Sequence, residues 1–343
     1  MTRHEFVTSG PFLFESGESL NTVTLSYYTS DREYTPGETV VWICHALTGN
    51  ADPEDWWPGV VGKGKAIDPD KCFVVCPSML CSSYGTCGPA SVNPLTGKPY
   101  LLDFPKTTIR DMLKACILVR KHLGIHSIDC LIGPSIGGFI ATEWLVTEPD
   151  IISKAFLLAT YVRVLPYLTA FNESMRMALL ADPSFLAALD LKGGEKGLVC
   201  ARSMALLSYR TPYAYNLTQK EDDPDTLFAD RAASYQRHQG RKLIDRYFDA
   251  YSYWYLSYAV DSMNIGRGRG GVEKALSSIR ARCKVVYITS DQIFTKELCE
   301  EYAGLIPDAT CHGIESIFGH DGFLIENDAV ASIISDFINQ NIF

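Results

Sequence analysis

Ser135 lies in Gly133-Pro134-Ser135-Ile136-Gly137, between an apolar run at 128–132 and a helix-like run at 138–146. A serine hydroxyl is a weak nucleophile at neutral pH, so it needs an adjacent base that a carboxylate holds in place. A Gly-x-Ser-x-Gly turn between strand and helix lifts such a hydroxyl above the end of a sheet. The glycines remove side chains that would clash in so tight a corner. The other two partners follow in the order that goes with this turn. Ser290-Asp291 comes after the strand-like run at 285–289, and His320 stands later still, in Gly319-His320-Asp321-Gly322. This order predicts Ser135 as nucleophile, His320 as base and Asp291 as the acid that orients it. His4, His45, His122, His126, His238 and His312 lack such a setting and read as structural. The tetrahedral intermediate of acyl transfer needs two backbone donors. One is the N–H of Ile136, at the positive end of the following helix. The other is the N–H of Leu47, in the loop His45-Ala46-Leu47-Thr48-Gly49 after an early strand.

The elements that must hold these groups alternate. Val40–Cys44 and Cys72–Cys76 are continuous apolar runs of strand length. From Thr108, an apolar stripe through Ile109, Met112, Leu113, Cys116 and Ile117 predicts a helix that stops at Gly124. Strand, turn and helix follow, and then another strand over Lys154–Ala159. Strands alternating with helices predict an α/β fold: a mostly parallel central sheet with helices on both faces. The alternation stops near 165. From there to about 275 the pattern is helical and rich in tyrosine and arginine; strand signals return at Cys283–Thr289 and Ala309–Ile317, and a closing helix at Glu326–Asn339. The expected organisation is a core made of 1–164 and 276–343, with 165–275 inserted as a helical lid. The segment Gly266-Arg-Gly-Arg-Gly-Gly271 is too short for an RNA-binding tract and reads as a flexible hinge between the two.

Composition narrows the possible partners. The 343 residues are 47% hydrophobic, enough for one large core, and the formal net charge of -9 argues against nucleic acid. No apolar run approaches the length needed to span a membrane, and the first residues carry no apolar signal core; a cytoplasmic chain is expected. The 11 cysteines cannot all pair. Cys72, Cys76, Cys81 and Cys87 lack the paired C-x-x-C spacing of zinc sites, so no metal is expected.

Several longer stretches resemble the homoserine O-acyltransferase family of the α/β-hydrolase superfamily. They are His45-Ala-Leu-Thr-Gly49, Gly62-Lys-Gly-Lys-Ala-Ile-Asp68, Tyr84-Gly-Thr-Cys-Gly-Pro89, Asn93-Pro-Leu-Thr-Gly-Lys-Pro-Tyr100, Asp103-Phe-Pro105, Thr108-Ile-Arg-Asp111, Ser290-Asp291 and Gly319-His-Asp-Gly-Phe-Leu324. The resemblance implies an α/β-hydrolase fold and transfer of an acyl group, acetyl by expectation, from an acyl-coenzyme A co-substrate to the hydroxyl of homoserine. It also implies an acyl-serine intermediate, a place in methionine biosynthesis, no bound cofactor, and a homodimer built on the lid. By the same resemblance Arg176 holds the amino acid's carboxylate and Asp321 its ammonium. The aromatic run from Tyr247 to Tyr258 is too apolar for a solvated lid face and is expected at or beside the dimer contact. The chain departs from the family where Pro134 and Ile136 flank the serine, at Leu80–Tyr84 and at Cys87. These changes predict an altered pocket beside the nucleophile. An ester or thioester hydrolase with the same triad, or succinyl or serine specificity, is the alternative reading.

Overall fold

Period-two alternation along the buried strands sets the layers of this computed structural model, which describes residues 1–339. The last four positions of the segment 276–343 lie outside the described residues. Eight strands form the main sheet: β1 (Thr2–Val7), β2 (Thr24–Thr29), β3 (Val40–Ile43), β4 (Phe73–Pro77), β5 (Ile128–Pro134), β6 (Ile152–Leu158), β7 (Arg282–Ile288) and β8 (Ala309–Ile314). Their order across the sheet is β1-β2-β4-β3-β5-β6-β7-β8. The pairs β1·β2 and β2·β4 are antiparallel, and every later pair is parallel. Trp42, Leu131, Ala155 and Leu157 point to one face; Val41, Ile43, Ile132 and Phe156 point to the other. Both faces are covered, which explains why the central strands read as unbroken apolar runs.

Helices α1 (Ile109–His122) and α2 (Ile136–Thr147) cover the first face. Thr108 and Asp111 close a reciprocal capping box that fixes where α1 starts. Trp144 of α2 meets Trp42 edge to face at 5.0 Å. Between β6 and β7 the chain leaves the sheet and forms α3 (Pro166–Leu180), α4 (Glu195–Tyr209), α5 (Arg231–Asp245) and α6 (Ala250–Asp261), with shorter helices between and after them. After β7 come α7 (Lys296–Ala303) and, on the second face, α8 (Asn327–Asn339) with Val330, Ile334 and Phe337 turned inward. Where the inserted segment departs and returns, its two ends bond to each other: Val164 N–H to Met263 O at 3.0 Å and Ile265 N–H to Val162 O at 2.9 Å. No helix among the described residues is long and apolar enough to cross a membrane.

Two sequence expectations are corrected here. The aromatic run does not face outward. Tyr251, Tyr253, Tyr255 and Leu256 are buried within their own chain, and only Tyr247 stands fully exposed, at 89%. The tyrosine hydroxyls find partners at home, Tyr251 on Phe185 O at 2.8 Å and Tyr255 on Leu102 O and Phe104 O at 2.7 Å. A run that satisfies its polar tips internally is core, whatever its composition suggests. The Arg-Gly segment is not a free hinge either. Arg267 forks onto Glu15 at 2.7 and 2.9 Å, and Arg269 reaches the buried Glu143 at 2.7 Å, which Arg110 also contacts at 3.2 Å. Paired guanidinium–carboxylate geometry on this scale pins the returning chain to the sheet domain.

Candidate active site

Ser135 occupies the junction of β5 and α2 with φ 55° and ψ −125°, a conformation that side-chain-bearing residues rarely adopt. Such strain costs on the order of 1–3 kcal/mol and persists only where the surroundings enforce it. Here Ser135 N–H bonds Leu158 O at 2.9 Å, and the Thr160 hydroxyl bonds Ser135 O at 2.8 Å. The flanking glycines are demanded by backbone. A Cβ on Gly137 would lie 2.0 Å from Cys44 O, and one on Gly133 would lie 2.5 Å from Gly137 O. The unusual Pro134 is tolerated for a simple reason. Alternate residues of β5 face opposite neighbours, and Ser135 N–H already faces β6. Position 134 therefore faces β3, whose pairing ends at Ile43 with Ile132. There Cys44 N–H donates to Ile132 O at 2.8 Å, and the ladder ends at the next position because proline has no N–H to continue it.

The turn brings the three predicted side chains together. Ser135 Oγ is 2.8 Å from His320 Nε2, and His320 Nδ1 is 2.7 Å from Asp291 Oδ2. The other carboxylate oxygen of Asp291 accepts the N–H groups of Ile293 and Phe294 at 2.8 and 3.2 Å, so the acid is held from both sides. Burial by itself pulls the His320 imidazole down. The charge and hydrogen bond of Asp291, with Asp321 adding to them, outweigh burial, and the net direction is up from 6.5. The base must be neutral to accept the serine proton, so activity is lost as pH falls through the raised value. The acidic limb of kcat/KM is therefore expected above pH 6.5. In Asp321→Asn it should move to lower pH, because one raising charge is gone. A pH profile unchanged by that substitution would show that the Asp321 charge does not reach the base.

Leu47 and Ile136 line the same small pocket as Ser135 and His320. Ile136 opens α2, so its N–H is one of those a helix start leaves without an internal partner. The Leu47 loop is braced by His45, which sequence reading treated only as structural. Its Nδ1 lies 2.8 Å from Ala46 O, and its Nε2 accepts Met79 N–H at 3.0 Å. Burial lowers its pKa to about 4, so the ring is neutral, as that pairing requires. The pocket holds only about 40 Å³, walled also by Leu168, Asn172, Met175, Tyr209, Ile293 and Phe294.

The two residues expected at the substrate's charged groups are not brought together. Arg176 is buried with Asp261 at 2.8 Å, Glu173 at 2.8 Å and Ser257 at 3.2 Å, its guanidinium over Tyr258. None of these partners belongs to the triad, and its neighbours Asn172 and Met175, not Arg176, face the pocket. Asp321, next to His320, instead pairs with Arg210, whose Nε is 2.6 Å from Asp321 Oδ2. Arg210 directly follows Tyr209, which packs on the His320 ring and lines the pocket. Sequence reading passed over Arg210. The only signal for it was an arginine at the end of a lid helix, in Ser208-Tyr209-Arg210-Thr211.

Comparison with known proteins adds what geometry cannot. A profile of the alpha/beta hydrolase fold matches residues 39–325. Homoserine O-acetyltransferase from Cyclobacterium marinum is 39% identical over 343 residues, covering 99% of this chain and 96% of its own. The crystal structure of homoserine O-acetyltransferase from Bacillus anthracis superposes with a TM-score of 0.90 at 24% identity, over 100% of this chain and 98% of its own. An acetylester hydrolase from Corynebacterium glutamicum shares the fold, with a TM-score of 0.83 at 20% identity over 98% and 96%. A serine turn, an inserted helical segment and full-length likeness together leave one assignment: the chain belongs to the homoserine O-acetyltransferase family of α/β-hydrolase-fold enzymes.

Proposed function

We propose that the enzyme transfers an acetyl group from acetyl-coenzyme A to the side-chain hydroxyl of homoserine, through an acetyl-serine intermediate. Ser135 Oγ attacks the thioester carbonyl while His320 Nε2 takes its proton, and Asp291 supports the imidazolium that forms. The N–H groups of Ile136 and Leu47 receive the oxyanion. As the C–S bond breaks, His320 returns the proton to the departing thiol. Homoserine's hydroxyl then attacks the acyl-serine, His320 takes that proton, and Ser135 leaves as a neutral hydroxyl. The inserted helices 165–275 act as the lid that keeps water from the acyl-enzyme. Release of coenzyme A without homoserine acetylation, at saturating homoserine, would favour the hydrolase instead.

The small pocket supports acetyl. At about 40 Å³ it is far below the ~150 Å³ that accommodates a benzene ring, and a four-carbon dicarboxylic acyl group would also bury a charge there. The observation that carries the acceptor is the Arg210–Asp321 pair beside the base. A free amino acid offers a carboxylate to the first and an ammonium to the second, so both half-buried charges keep a partner when it binds. Arg210 takes the role first expected of Arg176, and Asp321 keeps its own. Arg210→Lys is expected to raise KM for homoserine roughly tenfold or more, because lysine loses the planar two-pronged contact. KM for acetyl-coenzyme A should stay within about twofold, a ratio measured by initial rates. Equal changes for both substrates would remove Arg210 from the acceptor site.

We also propose a homodimer through the lid. A groove of about 610 Å³ runs between α3 and α4, lined by Met177, Ala178, Cys200 and Met204, and Met177 is 61% exposed. A second copy of this chain is the expected cover for that apolar strip. Sedimentation at micromolar concentration that finds only a 38.1 kDa species would end this proposal. The 11 free thiols suit a reducing compartment, the cytoplasm.

A further inference from the structure

The serine pocket is too small for anything beyond the acyl group, so the rest of a coenzyme A donor must lie outside it. A second cavity of about 320 Å³ shares three wall residues with the first: Leu168, Ile293 and Phe294. Its far side is formed by Arg163, Tyr167, Gln292 and Thr295. We propose that this cavity holds the pantetheine arm of the acyl donor and that Arg163 contacts its phosphates; the inference rests on the acyltransferase reading above.

Three observations carry it. The two cavities share Leu168, Ile293 and Phe294, so only these side chains stand between a thioester at Ser135 and the larger space. The character of the lining changes along that path. Apolar Leu168, Ile293 and Phe294 stand at the neck, where a thin alkyl-amide arm must pass, and Gln292, Thr295 and the tyrosines beyond offer donors and acceptors for its amides. Arg163 is exposed at the outer end. Its guanidinium interacts with the Tyr161 hydroxyl, which Glu301 shares, and no described carboxylate lies within ion-pair distance of it. That leaves its charge available. In a chain of net charge -9, a polyanionic donor needs such a local cation, and a planar guanidinium matches phosphate oxygens. The neck is also tied to the chemistry, because the Ile293 and Phe294 N–H groups are the ones that hold Asp291.

The test compares two donors. Acetyl-coenzyme A carries the phosphates; S-acetyl-N-acetylcysteamine carries the thioester and the start of the arm, without them. In Arg163→Ala, KM for acetyl-coenzyme A is expected to rise roughly tenfold, the scale of one charge-assisted bond. KM for the truncated thioester and for homoserine should not change. Arg163→Lys, which keeps the charge, should stay within about threefold of wild type, and raising the salt concentration should weaken acetyl-coenzyme A in wild type more than in Arg163→Ala. An equal effect on both donors, or none on either, overturns the assignment of the cavity while leaving the acyltransferase reading intact. A wild-type enzyme that accepts the truncated thioester but never acetyl-coenzyme A overturns both.

Discussion

Ser135→Ala is expected to lower acetyl transfer on the order of 10⁴-fold or more, with the folded structure retained. The change removes one oxygen, the one 2.8 Å from His320 Nε2, and leaves the backbone turn with a Cβ as before. Nothing else in the pocket offers a nucleophile at that place: its other walls are Leu47, Ile136, Phe139, Met175 and similar side chains, and Ser208 lacks an adjacent base among the described residues. The same experiment separates two schemes. Wild type mixed with acetyl-coenzyme A alone should accumulate an acetyl group on the peptide that carries Ser135, seen by mass spectrometry, and Ser135→Ala should not. A productive enzyme in which rapid quenching finds no such adduct would mean direct transfer between bound substrates, and the acyl-serine would be abandoned.

Gly137→Ala should come next in size, through a different cause. Its new methyl group would sit 2.0 Å from Cys44 O and 2.9 Å from His45 O, both main chain. A side chain could swing aside, but these carbonyls belong to the end of β3 and to the loop that presents Leu47. The start of α2 must therefore move away from that loop. Overpacking of this kind costs about 1–3 kcal/mol in stability. The activity loss should be larger than stability alone explains, about 10²–10³-fold, because both proposed oxyanion donors sit on the surfaces being forced apart. Gly10→Ala is the control, since nothing lies within 4 Å of a Cβ there. Denaturant midpoints and kcat for the pair decide the matter; wild-type values for Gly137→Ala would refute the close approach.

The parts legible in the sequence were those written locally. A five-residue turn, the strand before it and the helix after it occupy twenty consecutive positions, and their periodicities change where the structure changes. The acid and the histidine were legible by order, since strand ends are where side chains leave the sheet. Long-range pairing was not legible. Arg176 and Arg210 are both lid arginines with nothing to separate them in composition. One is consumed by Glu173 a helical turn away and by Asp261, whereas the other meets a carboxylate 111 residues on. The aromatic run misled because tyrosine suits an interface and a core equally well, and only the positions of Phe185 O, Leu102 O and Phe104 O decide between them. The Arg-Gly segment misled similarly: glycine signals freedom, but the arginines between the glycines had fixed acceptors elsewhere.

The bonded seam where residues 162–165 meet 263–265 has an evolutionary consequence. β6 and β7 are sheet neighbours, so everything between them is a closed excursion whose ends already touch. Closing such a loop depends only weakly on its length, about 0.6 kcal/mol for each doubling. Residues can then be gained or lost in exposed stretches such as that around Leu227 and Phe228, while the seam and the strands keep their register. A lineage can in this way remodel which molecules reach the serine by editing one interchangeable module, and the reaction machinery is inherited untouched.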